Sequence, residues 1–173
     1  MNSQKYIKVL NETLSKIDVT KSDECVNVIR EYFDVDEKIL ICGNGGSATT
    51  ASHYVTDWTK MSLVERDKTL KAYCLSDNIG MITAYSNDIG YEEVFSKQIE
   101  SYGASGDLLI VVSGSGNSPN ILNALKTANS CDMRTMGVVG YDGGEVIKMV
   151  DYAFHVPSFD MQICEDLHLM FGH

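Results

Sequence analysis

His53 and Asp57 stand four residues apart in the run ICGNGGSATTASHYVTDW (41–58). On a helix that spacing puts both side chains on one face, a turn apart. Near the far end of the chain comes Glu165-Asp166-Leu167-His168, followed by His173. Glu165, His168 or Leu169, and His173 fall near one helical stripe. Imidazole together with carboxylate is ligand chemistry for zinc or a similar divalent ion. It is equally the equipment of general acid–base catalysis. Each residue also has a plainer reading. A lone helical histidine commonly sits on the surface or is satisfied in a core, and an i, i+4 His–Asp pair is often a surface pair worth about 0.2–0.5 kcal/mol. His155 falls within a strand pattern and reads as structural.

Two further stretches suit an anion. One is Gly43-Asn44-Gly45-Gly46-Ser47; the other is Ser113-Gly114-Ser115-Gly116-Asn117-Ser118. Each follows an apolar run and leads into a helical pattern. A helix N-terminus offers unpaired N–H groups and a partial positive charge. Glycines let the backbone approach a ligand, and serines add donors without adding charge. Gly, Ser and Asn also favour ordinary turns and N-caps. Two such loops, each at the carboxyl end of a strand, favour the functional reading. The first also fits the dinucleotide pattern GxGxxA, but the acidic residue expected about twenty residues on is missing. Asp77 lies over thirty residues away. That pattern leaves SGSGNS unexplained, so no nucleotide cofactor is expected.

The elements that must position these residues follow from hydrophobic periodicity. Residues 4–17 and 22–33 carry apolar residues at helical spacing. Thereafter short apolar runs alternate with helical patterns. Strands are expected at 38–42, 70–75, 107–113, 134–140 and 152–156. Helices are expected at 47–60, 92–102, 118–130 and 143–150, and from Met161 to the end, with MITAYSN (81–87) read as a short helix and turn. This alternation predicts an α/β fold, a doubly wound five-stranded parallel sheet of flavodoxin-like or Rossmann-like type with two leading helices. Ligands bind such sheets beyond the carboxyl ends of the strands. No repeat or linker is visible, so residues 1–173 read as a single domain.

Composition narrows the partners. The 173 residues are 44% hydrophobic with only two prolines, as expected of a globular chain. The formal net charge of −10 argues against nucleic acid, which is held by clustered Lys and Arg. No apolar run approaches a membrane span, and the N-terminus lacks the apolar centre of a signal peptide. The five cysteines are scattered without CxxC spacing and read as reduced core thiols of a cytoplasmic protein.

Together the GNGGS loop, SNDIGYEEVF (86–95), SGSGNS and the terminal E-D-x-H-x4-H resemble the sugar isomerase (SIS) domain, with phosphoheptose isomerases as the most similar branch. The similarity spans essentially the whole chain. It implies a homotetramer with active sites shared between subunits. It also implies the conversion of sedoheptulose 7-phosphate into D-glycero-D-manno-heptose 7-phosphate for surface polysaccharide. By resemblance Ser47, Ser113, Ser115 and Ser118, with the glycines Gly45, Gly46 and Gly114, hold the phosphate, and Asn44 and Asp88 line the sugar site. His53, Asp57, Glu165 and His173 fall on the positions that hold zinc in some members, and Asp57, Glu165 and His173 are the acid–base candidates. Four departures stand out: Asp57 replaces a Glu, Glu165 replaces a Gln, Gly114 replaces the middle residue of an STS run, and Gln162 stands where an Asp is expected. They leave open an isomerase of another sugar phosphate. A phosphosugar-binding regulator without catalysis, for example of replication initiation, is the competing reading, and the acid–base set favours an enzyme over it.

Overall fold

A computed structural model describes residues 2–66 and 69–173. Helices α1 (Ser3–Leu14) and α2 (Val19–Glu31) lead. Side chains cap both helices. Asn2 accepts from the Lys5 N–H at 2.9 Å, and Asp18 accepts from the Lys21 N–H at 3.2 Å. Strand β1 (Ile39–Gly43) then enters helix α3 (Gly46–Arg66), followed by β2 (Ala72–Cys74) and α4 (Ile79–Asp88). Next come α5 (Ser96–Tyr102), β3 (Leu108–Ser113), α6 (Pro119–Ser130), β4 (Arg134–Val139), β5 (Tyr152–His155) and α7 (Met161–Gly172).

The five strands form one parallel sheet in the order β2-β1-β3-β4-β5. Alternate strand residues feed two separate cores, because successive side chains point to opposite faces. Ile39, Ile41, Leu108, Ile110, Val112, Met136 and Val138 pack with residues of α2, α3 and α7. Leu40, Cys42, Leu109, Val111 and Val139 pack with residues of α5 and α6. Both faces are therefore covered, which is why the strands read as continuous apolar runs rather than alternating ones.

Two expected helices come out differently. Residues 91–93 form a single 3-10 turn, and α5 starts only at Ser96. The stretch 143–150 holds only a 3-10 turn at Val146–Lys148. There Gly143 has a φ of 84° and Gly144 a φ of 55°. Positive values of this kind cannot belong to a right-handed helix. MITAYSN lies within α4, in which no residue is buried despite Ile79, Ile82 and Tyr85. All five cysteines are free thiols, and burial pushes that of Cys25 up to about 11 and that of Cys42 further still. Among the described residues no helix is long and apolar enough to cross a membrane.

Candidate active site

From β1 the chain moves outward to β2, then returns past β1 to β3, so the winding reverses between β1 and β3. That reversal opens a crevice beyond the carboxyl ends of these two strands. The two glycine- and serine-rich loops leave the sheet there, since Gly43 at the end of β1 is paired with Val112, one residue before the end of β3. Between them lies a cavity of about 300 Å³ lined by Asn44, Gly45, Gly46, Ser113, Gly114, Ser115 and Ser118, with Val112, Met161 and Glu165.

The loops are built for close approach. The Ser113 hydroxyl accepts from the Gly116 N–H at 3.1 Å and the Ser115 hydroxyl from the Asn117 N–H at 3.3 Å. Gly116 has φ +65°, and a Cβ there would lie 2.1 Å from the Gly143 carbonyl oxygen. Only glycine lets the SGSGNS turn lie backbone to backbone against the 143–144 turn in this way. Ser118 is the N-cap of α6, yet its side chain makes no capping hydrogen bond, which leaves the hydroxyl for another acceptor or donor. Ser47 opens α3 at 8% exposure, its N–H donating to the Asn44 carbonyl at 3.0 Å, and is not among the residues lining the cavity.

Asn44 ties the two loops together. Its amide forms a reciprocal pair with Asn120 of α6, both N–H···O bonds being 2.9 Å, and its oxygen also accepts from the Tyr91 hydroxyl at 2.8 Å. Asn120 is 2% exposed. The sequence alone did not single out Asn120 or Tyr91. The visible signals were Asn120 two residues past Ser118 and Tyr91 inside the SNDIGYEE stretch. That stretch reaches Asn44 in the cavity wall through Tyr91, not through Asp88. Asp88 ends α4 exposed, its carboxylate accepting from Asn87 at 2.7 Å, and does not line the cavity.

Two turns down α3 the exposed face carries His53 and Asp57, and the end of α7 brings His173 to them. His53 Nε2 lies 3.0 Å from Asp57 Oδ2 and 3.1 Å from His173 Nε2, and His173 Nε2 lies 3.7 Å from the same carboxylate oxygen. Two imidazole nitrogens this close must share a proton or a cation. Metal–ligand bonds of about 2.0–2.1 Å at tetrahedral angles set donor atoms about 3.3 Å apart. The three observed separations bracket that value, so the donor set fits a zinc-sized ion with a coordination position left over.

Glu165 is not part of that group. Of the four residues expected, three come together within this chain. Glu165 sits two helical turns before His173 on α7. At the rise of an α-helix that is about 12 Å along the axis. Its carboxylate instead lies over the start of α3, where a Cβ built on Gly46 would be 2.6 Å from Oε1. A negative side chain is favoured at that positive helix end. His168, also on the terminal stretch, is 1% exposed with neither ring nitrogen hydrogen-bonded. Burial pulls its pKa down to about 4, so it is held neutral.

Comparison with known proteins agrees with this architecture. The SIS domain family model matches residues 5–140. A phosphoheptose isomerase of Helicobacter pylori is 41% identical over 150 residues, covering 87% of this chain and 78% of the relative. One from Chlorobaculum parvum is 39% identical over 171 residues, covering 97% and 81%. The solved phosphoheptose isomerase of Neisseria gonorrhoeae superimposes with a TM-score of 0.89 at 34% identity, covering 98% of this chain and 90% of that one. With two thirds or more of both chains aligned at this identity, the chain belongs to the SIS domain family, among the phosphoheptose isomerases.

Proposed function

We propose that this chain is an aldose–ketose isomerase that interconverts sedoheptulose 7-phosphate and D-glycero-D-manno-heptose 7-phosphate, serving heptose synthesis for surface polysaccharide in the cytoplasm. One observation carries the reading. The loop cavity opens at the N-terminus of α3, and His53 lies seven residues further along the same helix. Seven residues of α-helix span about 10 Å. That span is comparable to an extended seven-carbon sugar phosphate, so one ligand reaches both.

The roles divide accordingly. Ser113, Ser115 and Ser118, with the backbone of Gly45, Gly46 and Gly114, bind the phosphate through hydroxyls and N–H groups, and Ser47, just outside the cavity lining, joins them through its hydroxyl where the phosphate meets the start of α3. Asn44 orients the sugar. Holding the phosphate fixes the reacting carbons against the His53–Asp57–His173 group. That group would hold a divalent metal, zinc by its chemistry, which when bound would polarise the substrate carbonyl. Asp57 Oδ2 is the oxygen that faces both imidazoles; a metal held through it alone would leave Oδ1 for proton transfer. We assign Oδ1 to removing the proton alpha to the carbonyl and returning it to the neighbouring carbon, by way of a cis-enediol. With His173 Nε2 given to the metal, the proton that His173 could pass to the carbonyl oxygen is the one on its other ring nitrogen, Nδ1. Glu165 remains at the phosphate end, and its charge acts on binding.

Ile79 of α4 and Ile89 just past its end, both exposed, support a homotetramer with shared sites, in which the exposed Asp88 serves a neighbouring subunit's sugar pocket. The test is NMR of sedoheptulose 7-phosphate in D2O with the purified protein, with chelator in one sample and zinc in another. Aldose product and deuterium at the exchanging carbon establish the isomerase, and loss with chelator assigns the metal. No product and no exchange in either sample from folded protein sinks the heptose reading and leaves a phosphosugar-binding regulator or an isomerase of another sugar phosphate.

A further inference from the structure

We infer that Trp58 is a positioning residue for the metal group: its indole N–H fixes the last turn of α7 and so delivers His173 to His53 and Asp57. This rests on reading those three side chains as a metal site.

The exposed pair on α3 has a buried shadow. Tyr54 follows His53 and Trp58 follows Asp57, so the two pairs share one spacing. Adjacent residues lie about 100° apart around a helix. What the buried pair touches therefore sets where the exposed pair sits. Trp58 Nε1 donates to the Gly172 carbonyl at 2.8 Å, and the Tyr54 hydroxyl donates to the His168 carbonyl. These carbonyls are themselves one turn apart on α7, so the two helices are joined by two parallel rungs.

The rungs differ in what they supply. The last four carbonyls of a helix lack intrahelical partners. Gly172 is the final residue of α7, and Trp58 satisfies its orphan carbonyl. The His168 carbonyl lies a turn earlier, within the helix. Packing adds to the clamp. Tyr54 is fully buried and Trp58 is 9% exposed, and their rings stack at 5.0 Å and 23°. Gly172 lies flat on the Tyr54 ring: a Cβ there would be 2.2 Å from Tyr54 Cε1. Height and rotation of the α7 end are thus set by α3 itself, one residue before His173. A histidine on a fraying turn would sample many positions, and a ligand atom must be held to a few tenths of an ångström.

Trp58→Phe keeps an aromatic ring in the stack and removes the N–H. The full chain is titrated with zinc against a chromophoric chelator, with His53→Ala defining binding at this site. Expected is affinity about tenfold or more below wild type for Trp58→Phe, while the thermal midpoint of the chelator-treated protein changes little. Tyr54→Phe, missing the rung farther from His173, should lose less. Trp58 is the only tryptophan in the chain, so wild-type emission should change as zinc is added and saturate at one equivalent. Gly172→Ala gives an independent variant: alanine is the better helix former, so loss of zinc affinity there reports displacement by the Tyr54 ring. If wild type and His53→Ala bind zinc alike, the metal reading fails and takes this inference with it. If His53→Ala loses zinc while Trp58→Phe and Gly172→Ala hold it as tightly as wild type, the metal site stands and the positioning role is overturned.

Discussion

Replacing Glu165 by Gln separates binding from proton transfer. The Glu165 carboxylate lies over the start of α3, with Oε1 2.6 Å from where a Gly46 Cβ would be. Adding a bond of about 1.5 Å puts that oxygen within about 4 Å of the Gly46 Cα. A phosphate cradled by the same helix end comes to roughly 5 Å from the carboxylate. At that distance and an effective dielectric constant of about 40, suited to a half-open cavity, each pair of unit charges repels by about 1.7 kcal/mol. A sugar phosphate carries about −1.5 to −2 charges at neutral pH, and salt screens part of the repulsion, leaving about 2 kcal/mol. Glutamine has nearly the same shape and no charge. Glu165→Gln should therefore lower KM for the sugar phosphate by about thirtyfold at low salt, with kcat within a factor of a few. The gap between variant and wild type should narrow as ionic strength rises. Steady-state kinetics at two salt concentrations, with deuterium incorporation as a check on proton transfer, reads all of this. A fall in kcat of about a hundredfold or more, with KM unchanged, would refute the reasoning and make Glu165 the base.

The remaining predictions follow from the same geometry. His168 is neutral in the fold with its pKa near 4 against 6.5 for the free side chain, so its contribution is complete above pH 6.5 and is lost as pH falls toward 4. Wild type should lose about 2.5 kcal/mol between pH 7.5 and 4.5 that His168→Leu does not, read from denaturant midpoints at both pH values; parallel losses would contradict a buried neutral imidazole. Ser118→Ala removes a hydroxyl that makes no capping bond. Stability should stay within about 0.5 kcal/mol while KM rises, unlike an ordinary N-cap whose loss costs about 1 kcal/mol. Asn120→Ala strips Asn44 of two hydrogen bonds. It should cost about 1–3 kcal/mol in urea unfolding and raise KM as well; an unchanged KM would mean that Asn44 does not orient substrate. Chelation should abolish turnover in wild type, and added zinc should restore it.

Much of this was legible from residue order. The alternation of apolar runs with helical patterns predicts the five parallel strands, because a strand buried on both faces needs a continuous apolar run and its crossover needs a helix. The loops GNGGS and SGSGNS announced themselves, since few residue types tolerate a backbone that must approach a ligand. Spacing put His53 and Asp57 on one face, because that is a property of a single helix. Where reading failed, the missing fact was a distance between segments remote in sequence. Nothing local says that Asn120 pairs with Asn44, 76 positions earlier, or that Tyr91 joins them. The stretch 143–150 looked helical because its apolar spacing is helical; its two glycines lie instead against the SGSGNS backbone, a contact between loops. Helical spacing and the family resemblance both grouped Glu165 with His173. The fold parts them, because one stripe on α7 is long enough for its two ends to face different places: the phosphate loops at one end, the exposed face of α3 at the other. Sequence thus determined which chemistry the chain carries and on which elements. Tertiary structure decided which of those groups share a site, because strand order and helix crossing, not separation along the chain, set the distances over which hydrogen bonds and metal coordination act.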